Sequence, residues 1–493
     1  MKAATEKFEN RLFFAFLALL VWLPLPLGSN RPQYEATFEI WVAVLSLLCI
    51  VLLQRHRVGA GEVFNGARSV LWLLAAWLIY IMLQLIPLPA SIRQVLSPES
   101  FAMYSQTNET GWVPLSLHPY ATFLFWLKSI AYVTLFALTL LLVNSKHRLV
   151  ILGYALVFSA VFQAFYGSIM TLSGLEYGFF VKKYAHLGCA TGTFANRNHL
   201  AGYLEMVSAI GIGLLMATSA NKDHGHTWRH RVRNLLLLLL SQKFLLRLML
   251  AMMVIALVLS RSRMGNTAFF LSLLIAGLTT LVVLRSKTDS VRKMFQSNDT
   301  RSAVVLITSL MIIDLCIVGA WFGVDKVVDR ISQSSAGHDA DRLEVSRDTL
   351  RLLKDYPLVG AGGGSYHAVF PRYRSESIRE YFSHAHEDYL EITADVGAIG
   401  ISLLALVVLS SLWAALKALH RRRDRLLRGM AFASIMGITA LLIHSTVDFN
   451  LQIPANAATF MIILALGWIA LNLDMQSNER VADSRRQETG HGK

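Results

Sequence analysis

The sequence predicts an all-α polytopic membrane protein of about twelve transmembrane helices, with one long helical segment on the outer side. Three observations predict it. Of 493 residues, 54% are hydrophobic and only 16% charged, whereas a soluble domain has roughly a quarter of its residues charged. The apolar residues fall in blocks of about 20, the length that crosses a bilayer as a helix. Lysine and arginine alternate between the linkers, rich in every second one and sparse in the others.

The blocks lie near 11–28, 38–54, 70–88, 121–143, 149–172, 200–219, 244–260, 265–285, 303–323, 396–418, 428–446 and 453–472. The first has no small-residue cleavage site of a signal peptide and is followed at once by further spans. Around 231–260, Ser241, Gln242 and Lys243 interrupt two leucine runs. One long tilted helix and an interfacial helix leading into a span both fit there. Linkers after even-numbered spans carry the basic residues, among them Arg55, Arg68, Lys146, Arg148, Arg285, Arg421, Arg422, Arg423 and Arg425. The positive-inside rule then puts both termini in the cytoplasm.

The same placement interprets the net charge. Lys+Arg is 46 against 32 Asp+Glu, a balance of +14, and a basic chain raises nucleic acid as a partner. Here the excess sits in short cytoplasmic linkers, where it sets topology and meets anionic lipid. No nucleic-acid partner is expected. Cys49, Cys189 and Cys316 are too few for a disulfide framework or a four-cysteine zinc site.

One outer linker, at 324–395, is about 72 residues long, far beyond an ordinary connection. It divides the chain into spans one to nine (1–323), the outer segment (324–395), spans ten to twelve (396–472) and a cytoplasmic tail (473–493). Within the segment, Asp341–Tyr356 has helical spacing, with Leu343, Leu350 and Leu353 on one side and Arg342, Arg347, Arg351 and Lys354 elsewhere. Pro357 and the run Gly360–Gly364 end that helix. A second helical stretch begins near His386 and runs into span ten.

Four polar clusters map to the outer face: Thr191–His199, Ser260–Gly265, the long segment with Arg342 and Ser383–Asp388, and His444–Pro454. Arg261 and Arg263 stay charged at every accessible pH. At a helix end they snorkel, pair with carboxylates, or grip an anion such as phosphate through their forked donors. His384 and His386 are two apart, so with Glu387 they lack the i, i+4 pair of helical zinc sites, and no metal is expected. A histidine near neutral pKa beside arginines and carboxylates suits a general base toward a hydroxyl. Gly360–Gly364 lacks the Lys-Ser/Thr ending of a phosphate loop, so helix stop and close packing are the better reading. Lys128, Glu205 and Asp314 lie inside spans without a visible partner. They would be the working residues of a transporter.

Five segments occur in order: TGTFANRNHLAGY (Thr191–Tyr203), SRSRMG (Ser260–Gly265), Arg342 leading to YPLVGAGGGSY (ending at Tyr366), HAHEDYLEITADVGAIG (His384–Gly400) and VDFNLQIPAN (Val447–Asn456). Together they resemble the O-antigen ligase and polymerase family, multispanning bacterial glycosyltransferases similar in architecture to the GT-C class. The resemblance covers roughly residues 150–470. It implies a glycan donor on undecaprenyl pyrophosphate, used on the periplasmic face of the inner membrane. The acceptor would be a sugar hydroxyl of lipid A-core for a ligase, or of a growing glycan for a polymerase.

The resemblance also implies roles. Arg263, with Arg261 as its neighbour, and Arg342 would engage the pyrophosphate, and His386 matches the family's essential histidine. His384, Glu387, Asn198, His199, Asp448 and Asn450 would support or contact substrate, with no cofactor and no metal. The family usually has Asn after the essential histidine, and this chain has Glu387. The contact made there is therefore in question, and a carboxylate partner for His386 is added. Protein O-glycosylating relatives share these signatures, but the short polar tail after Asp474 lacks a helical-repeat domain. Two readings from other classes remain, a transporter and a membrane scaffold. Uptake into liposomes would mark the first, and tolerance of substitution in the outer clusters the second.

Overall fold

The computed structural model describes residues 2–56, 61–106, 111–218, 242–285, 336–378 and 381–473. They form an all-α polytopic membrane protein. The expected ninth span at 303–323, with Asp314, lies outside the described residues, as does most of the leucine-rich stretch before Gln242.

In chain order the helices are α1 (Lys2–Trp22), α2 (Pro32–His56), α3 (Gly61–Gly66), α4 (Arg68–Leu85), α5 (Ala90–Leu96), α6 (Pro98–Gln106), α7 (Pro119–Leu142) and α8 (Lys146–Leu172). A short hairpin follows, β1 (Tyr177–Gly178) antiparallel to β2 (Val181–Lys182). Then come α9 (Arg197–Ala217), α10 (Gln242–Leu259), α11 (Arg263–Arg285), α12 (Ala336–Asp355), α13 (Tyr366–Val369), α14 (Asp388–Arg421), α15 (Arg425–His444) and α16 (Pro454–Asn472). Ten of them are long and apolar enough to cross a membrane. They coincide with ten of the twelve expected blocks, and α1 underlies the first block.

Helix starts follow ordinary capping chemistry. Ser145 accepts from the Arg148 amide, Asp424 from Leu427, and Asn196 from Asn198, each satisfying an orphan first-turn donor. Most residues of α9, α15 and α16 are buried, whereas α2 and α14 face outward along most of their length. Small residues set the innermost contact: a Cβ on Gly213 of α9 would sit 2.4 Å from the Gly429 carbonyl of α15.

α14 has 34 residues, about 51 Å of helix against a hydrocarbon core of about 30 Å. Its first turns therefore project beyond the membrane. The helix is interrupted at Gly397 (φ +63°). There the Leu358 and Gly360 backbones press into the position a Cβ would occupy, and Ala398 and Ile399 donate to the carbonyls of Pro357 and Leu358. The segment 342–385 packs on this projecting part around Val345, Leu352, Tyr356, Tyr366, Phe370 and Ala394.

The glycine run is consumed by this packing. Ala361 donates to Ala394, Gly362 to the Asp395 carbonyl, Gly363 to Gln84, and Gly364 and Tyr366 to the Asp395 carboxylate. Those amides face protein partners, as expected of a close-packing hinge. The helical reading of 341–356 is correct, but its apolar side is not the one expected. α12 buries Val345, Thr349 and Leu352, while Leu343 and Leu350 are exposed.

Candidate active site

The N-terminal ends of α9, α11, α14 and α16 and the C-terminal ends of α10 and α15 converge at one end of the bundle. Cross-links between their loops show it: Ala190 donates to Leu259, Ala455 to Gly28, Asp388 to Ser445, and Thr193 Oγ1 to the Pro24 carbonyl. Every polar cluster singled out in the sequence comes to this end.

Phe449 is the hub. The His384 ring stacks on it at 4.5 Å between centroids and 13° between planes. His386 and His199 approach edge-on at 4.8 and 4.7 Å. Three imidazoles, two from the loop before α14 and one from the start of α9, thus share a single aromatic ring. His386 has φ +56° and Arg261 φ +53°, a left-handed conformation costing a non-glycine residue about 1–3 kcal/mol and clustering at functional sites. Both were singled out in the sequence for their chemistry.

Carboxylates orient the imidazoles. Glu391, nearly buried one turn into α14, accepts from His384 Nδ1 at 2.7 Å through one oxygen and from the Ala385 amide at 2.8 Å through the other. Burial works against the charged form of His384, but Glu391 outweighs it and raises the histidine above its ordinary pKa. Glu205 of α9 meets His444 Nδ1 at 3.2 Å, both fully buried. Asp448 Oδ2 lies 3.9 Å from His444 Nε2 and 4.0 Å from His199 Nε2. Burial lifts the Asp448 carboxyl above its usual range, opposed by His444, the Phe449 amide, Arg342 and a hydrogen bond from Asn198.

The loop carrying Asp448 is itself fixed. Asp388, fully buried at the start of α14, accepts from Ser445 Oγ at 2.8 Å and from the Leu451 amide at 3.1 Å. Asn456 donates to Asn450 Oδ1 at 2.8 Å and to the His199 carbonyl at 2.9 Å.

Beside the histidines runs a cationic rim. His186 is pushed down to a pKa of about 4, first by burial, then by the charges of Arg197, Lys183 and Arg342. The Arg261 guanidinium lies 3.8 Å from a Cβ placed on Gly188. Arg197 reaches Cys189 Sγ at 3.3 Å, and Lys183 the Cys189 carbonyl at 2.8 Å. Arg342 acts on both His186 and Asp448, so it joins the rim to the histidine group.

The structure thus gathers His384, His386, His199, Asp448, Asn450, Asn198 and Arg342, with Arg261 at the rim. Arg263 is exposed at the first position of α11 and makes no ion pair among the described residues. Glu387 is half-buried at the capping position of α14, its pKa raised by burial against a lowering contact from the Leu390 amide. The carboxylate–histidine pair at this turn is Glu391–His384. Two intramembrane charges that lacked visible partners have them: Lys128 pairs with Glu35 at 2.8 Å, and Glu205 with His444. Glu391, Lys183 and His186 were not singled out in the sequence; Arg197 and His444 lay in named clusters without a role, and Glu205 was named only as an intramembrane charge.

Residues 248–405 match the family model Wzy_C, described as O-antigen ligase. Over that stretch the chain is similar to the O-antigen ligase family. The matched stretch runs from α10 into α14 and contains Arg261, Arg263, Arg342, His384 and His386. The match supports a glycosyltransferase-like membrane enzyme of lipid-linked glycans in general. Its site is completed from outside the matched stretch, by α9 and the loop 445–453. No curated protein matches the chain.

Proposed function

We propose that the protein transfers a glycan from an undecaprenyl-pyrophosphate donor to a sugar hydroxyl, at a site on the periplasmic face of the bacterial inner membrane with both termini cytoplasmic. The observation that carries this reading is the cationic rim lying against the histidine group. A pyrophosphate-leaving donor needs both, a fixed positive field and a base within reach of the acceptor.

Arg342 and Arg261 hold the pyrophosphate, with Arg263 at the lipid-facing margin. Their charge stabilises the diphosphate as negative charge accumulates on the departing oxygen. His386 takes the hydroxyl proton as the acceptor oxygen attacks the anomeric carbon. The carbon–oxygen bond to the pyrophosphate breaks as the new glycosidic bond forms, so the configuration inverts and no metal or covalent enzyme intermediate is required. Asp448, Asn198, His199 and Asn450 shape the floor on which the acceptor sits. In this reading Glu387 takes the place of an amide and serves as a polar margin, since Glu391 supplies the nearby carboxylate.

Ligation to lipid A-core is the favoured reaction, and repeat-unit polymerisation uses the same chemistry on a growing glycan. Purified protein in vesicles, given a polyprenyl-pyrophosphate glycan and both acceptors, tests the proposal. The expected product carries an inverted anomeric linkage by NMR and forms in the presence of a metal chelator. A retained linkage, or vesicle uptake without product, would overturn it.

A further inference from the structure

α12 presents an unusual face to its surroundings. Leu343, Arg347, Leu350, Arg351, Lys354 and Leu358 follow one another at intervals of three, four and one along its exposed side and just past its end. Leu343 is 55% exposed, Leu350 48% and Leu358 50%. Apolar and basic side chains thus share one stripe, and a shallow depression of about 500 Å³ runs along it from Arg347 to Pro357. The opposite side of α12 is satisfied by the outer segment's own core, so this stripe is not needed for folding.

Depth in the membrane identifies what covers it. The chain leaving α12 packs on α14 at Gly397, with Pro357 and Leu358 accepting from the Ala398 and Ile399 amides. The apolar part of α14 begins at Val396. On the other flank, Tyr80 and Gln84 donate to the Val359 carbonyl from the last turns of the membrane helix α4. The C-terminal end of α12 therefore stands where two membrane helices leave the hydrocarbon, at the level of lipid headgroups. Side chains that mix leucine with arginine and lysine suit that layer: the leucines reach the acyl boundary and the cations meet phosphate. Arg351 is held by Asp348 at 3.1 Å, which fixes the guanidinium without removing it from the surface.

We propose that this stripe of α12 is a docking surface for anionic phospholipid headgroups of the outer leaflet. Because α12 also carries Arg342 near its start, lipid bound along the stripe holds the helix that presents Arg342 to the site. The inference rests on the stripe and its depth, and stands whether or not the proposed transfer reaction is correct.

The test uses the full chain with its three native cysteines replaced by serine and a nitroxide label at position 350 (Leu350→Cys). It is reconstituted in vesicles of phosphatidylglycerol with phosphatidylcholine, or of phosphatidylcholine alone. Power-saturation EPR reads collisions with oxygen against a water-soluble nickel chelate. In anionic vesicles the label should favour oxygen, and this preference should be lost in pure phosphatidylcholine and in the Arg347→Gln, Arg351→Gln, Lys354→Gln triple variant. All three positions are exposed, so the variant tests binding without disturbing the core. A label open to the nickel chelate in anionic vesicles would overturn the proposal. So would a label equally protected in both lipids and in the triple variant, since that protection would come from protein or from apolar burial alone.

Discussion

The two ends of the helix bundle hold their charges in opposite ways. At the end away from the histidines, cations meet carboxylates directly: Arg148 with Glu9 at 2.6 Å and Lys146 with Asp424 at 2.7 Å. Arg148 also donates to Asn10 and lies over the Phe13 ring. These contacts tie α1 to α8, and α8 to the start of α15. Around Phe449, carboxylates are taken up by imidazoles instead: Glu391 by His384, Glu205 by His444, and Asp448 between His444 and His199; on the rim, Lys183 pairs with Glu176 at 2.6 Å. Among the described residues, neither Arg197 nor Arg342 is ion-paired to a carboxylate there. One end uses charge to fasten helices, and in the proposed reaction the other leaves Arg197 and Arg342 for an anion.

Substitutions at the two ends should therefore separate activity from stability. Arg342→Ala removes the cation that joins the rim to the histidine group. It should lower kcat/KM by about 100-fold or more in a transfer assay, the scale of losing one electrostatic stabiliser, with an unchanged melting temperature. A melting temperature that falls along with activity would make Arg342 a fastener like Arg148, and erase the contrast.

Glu391→Gln should lower kcat by about tenfold, less than the roughly 100-fold or more of a group that itself moves the proton, and shift the pH–rate profile. Glu391 raises His384 above its ordinary pKa. The stability it lends is fully present below about pH 6.5, the ordinary value. It is lost as pH rises through the higher folded value. The glutamine variant should lose that extra stability at acidic pH and move the histidine limb downward. An unmoved profile would assign Glu391 a purely structural role.

Arg148→Ala should cost up to about 3 kcal/mol of stability, as expected when a partly buried ion pair loses one partner, and leave kcat unchanged. Thermal unfolding in detergent reads the first effect and the transfer assay the second. The smallest effect belongs to His186. Its folded pKa of about 4 lies below the ordinary 6.5, so the unfolded chain binds more protons between those values. Stability should fall as pH drops from about 6.5 to about 4, and His186→Asn should flatten that slope. A steeper slope would contradict the position of His186 among cations.

The membrane helices were legible because a bilayer demands about 20 apolar residues per span and leaves few alternatives. Arg342, His386, His199, Asp448 and Asn450 were legible because each sits in a short polar motif at a helix end. The partners of Glu391 and Glu205 were not. Glu391 is one of three carboxylates at the start of α14 and Glu205 a lone one in an apolar helix, and only the fold shows which imidazole each meets. Lys183 and His186 escaped for a related reason, and Arg197 was named without a role, since their shared rim exists only after Arg342 arrives from the outer segment. The stripe of α12 shows the converse failure. Leucine spacing put Leu343, Leu350 and Leu353 on one apolar side, but α12 turns Val345, Thr349 and Leu352 inward and leaves Leu343 and Leu350 exposed.

The most direct measurement separates donor binding from transfer at the site end. His386→Ala and Arg342→Ala are reconstituted in parallel and assayed for binding of the polyprenyl-pyrophosphate glycan and for single-turnover transfer. The account predicts that the histidine variant binds donor as the parent does but makes no product, while the arginine variant loses donor affinity. Full transfer by the histidine variant, or unaltered donor affinity in the arginine variant, would contradict it.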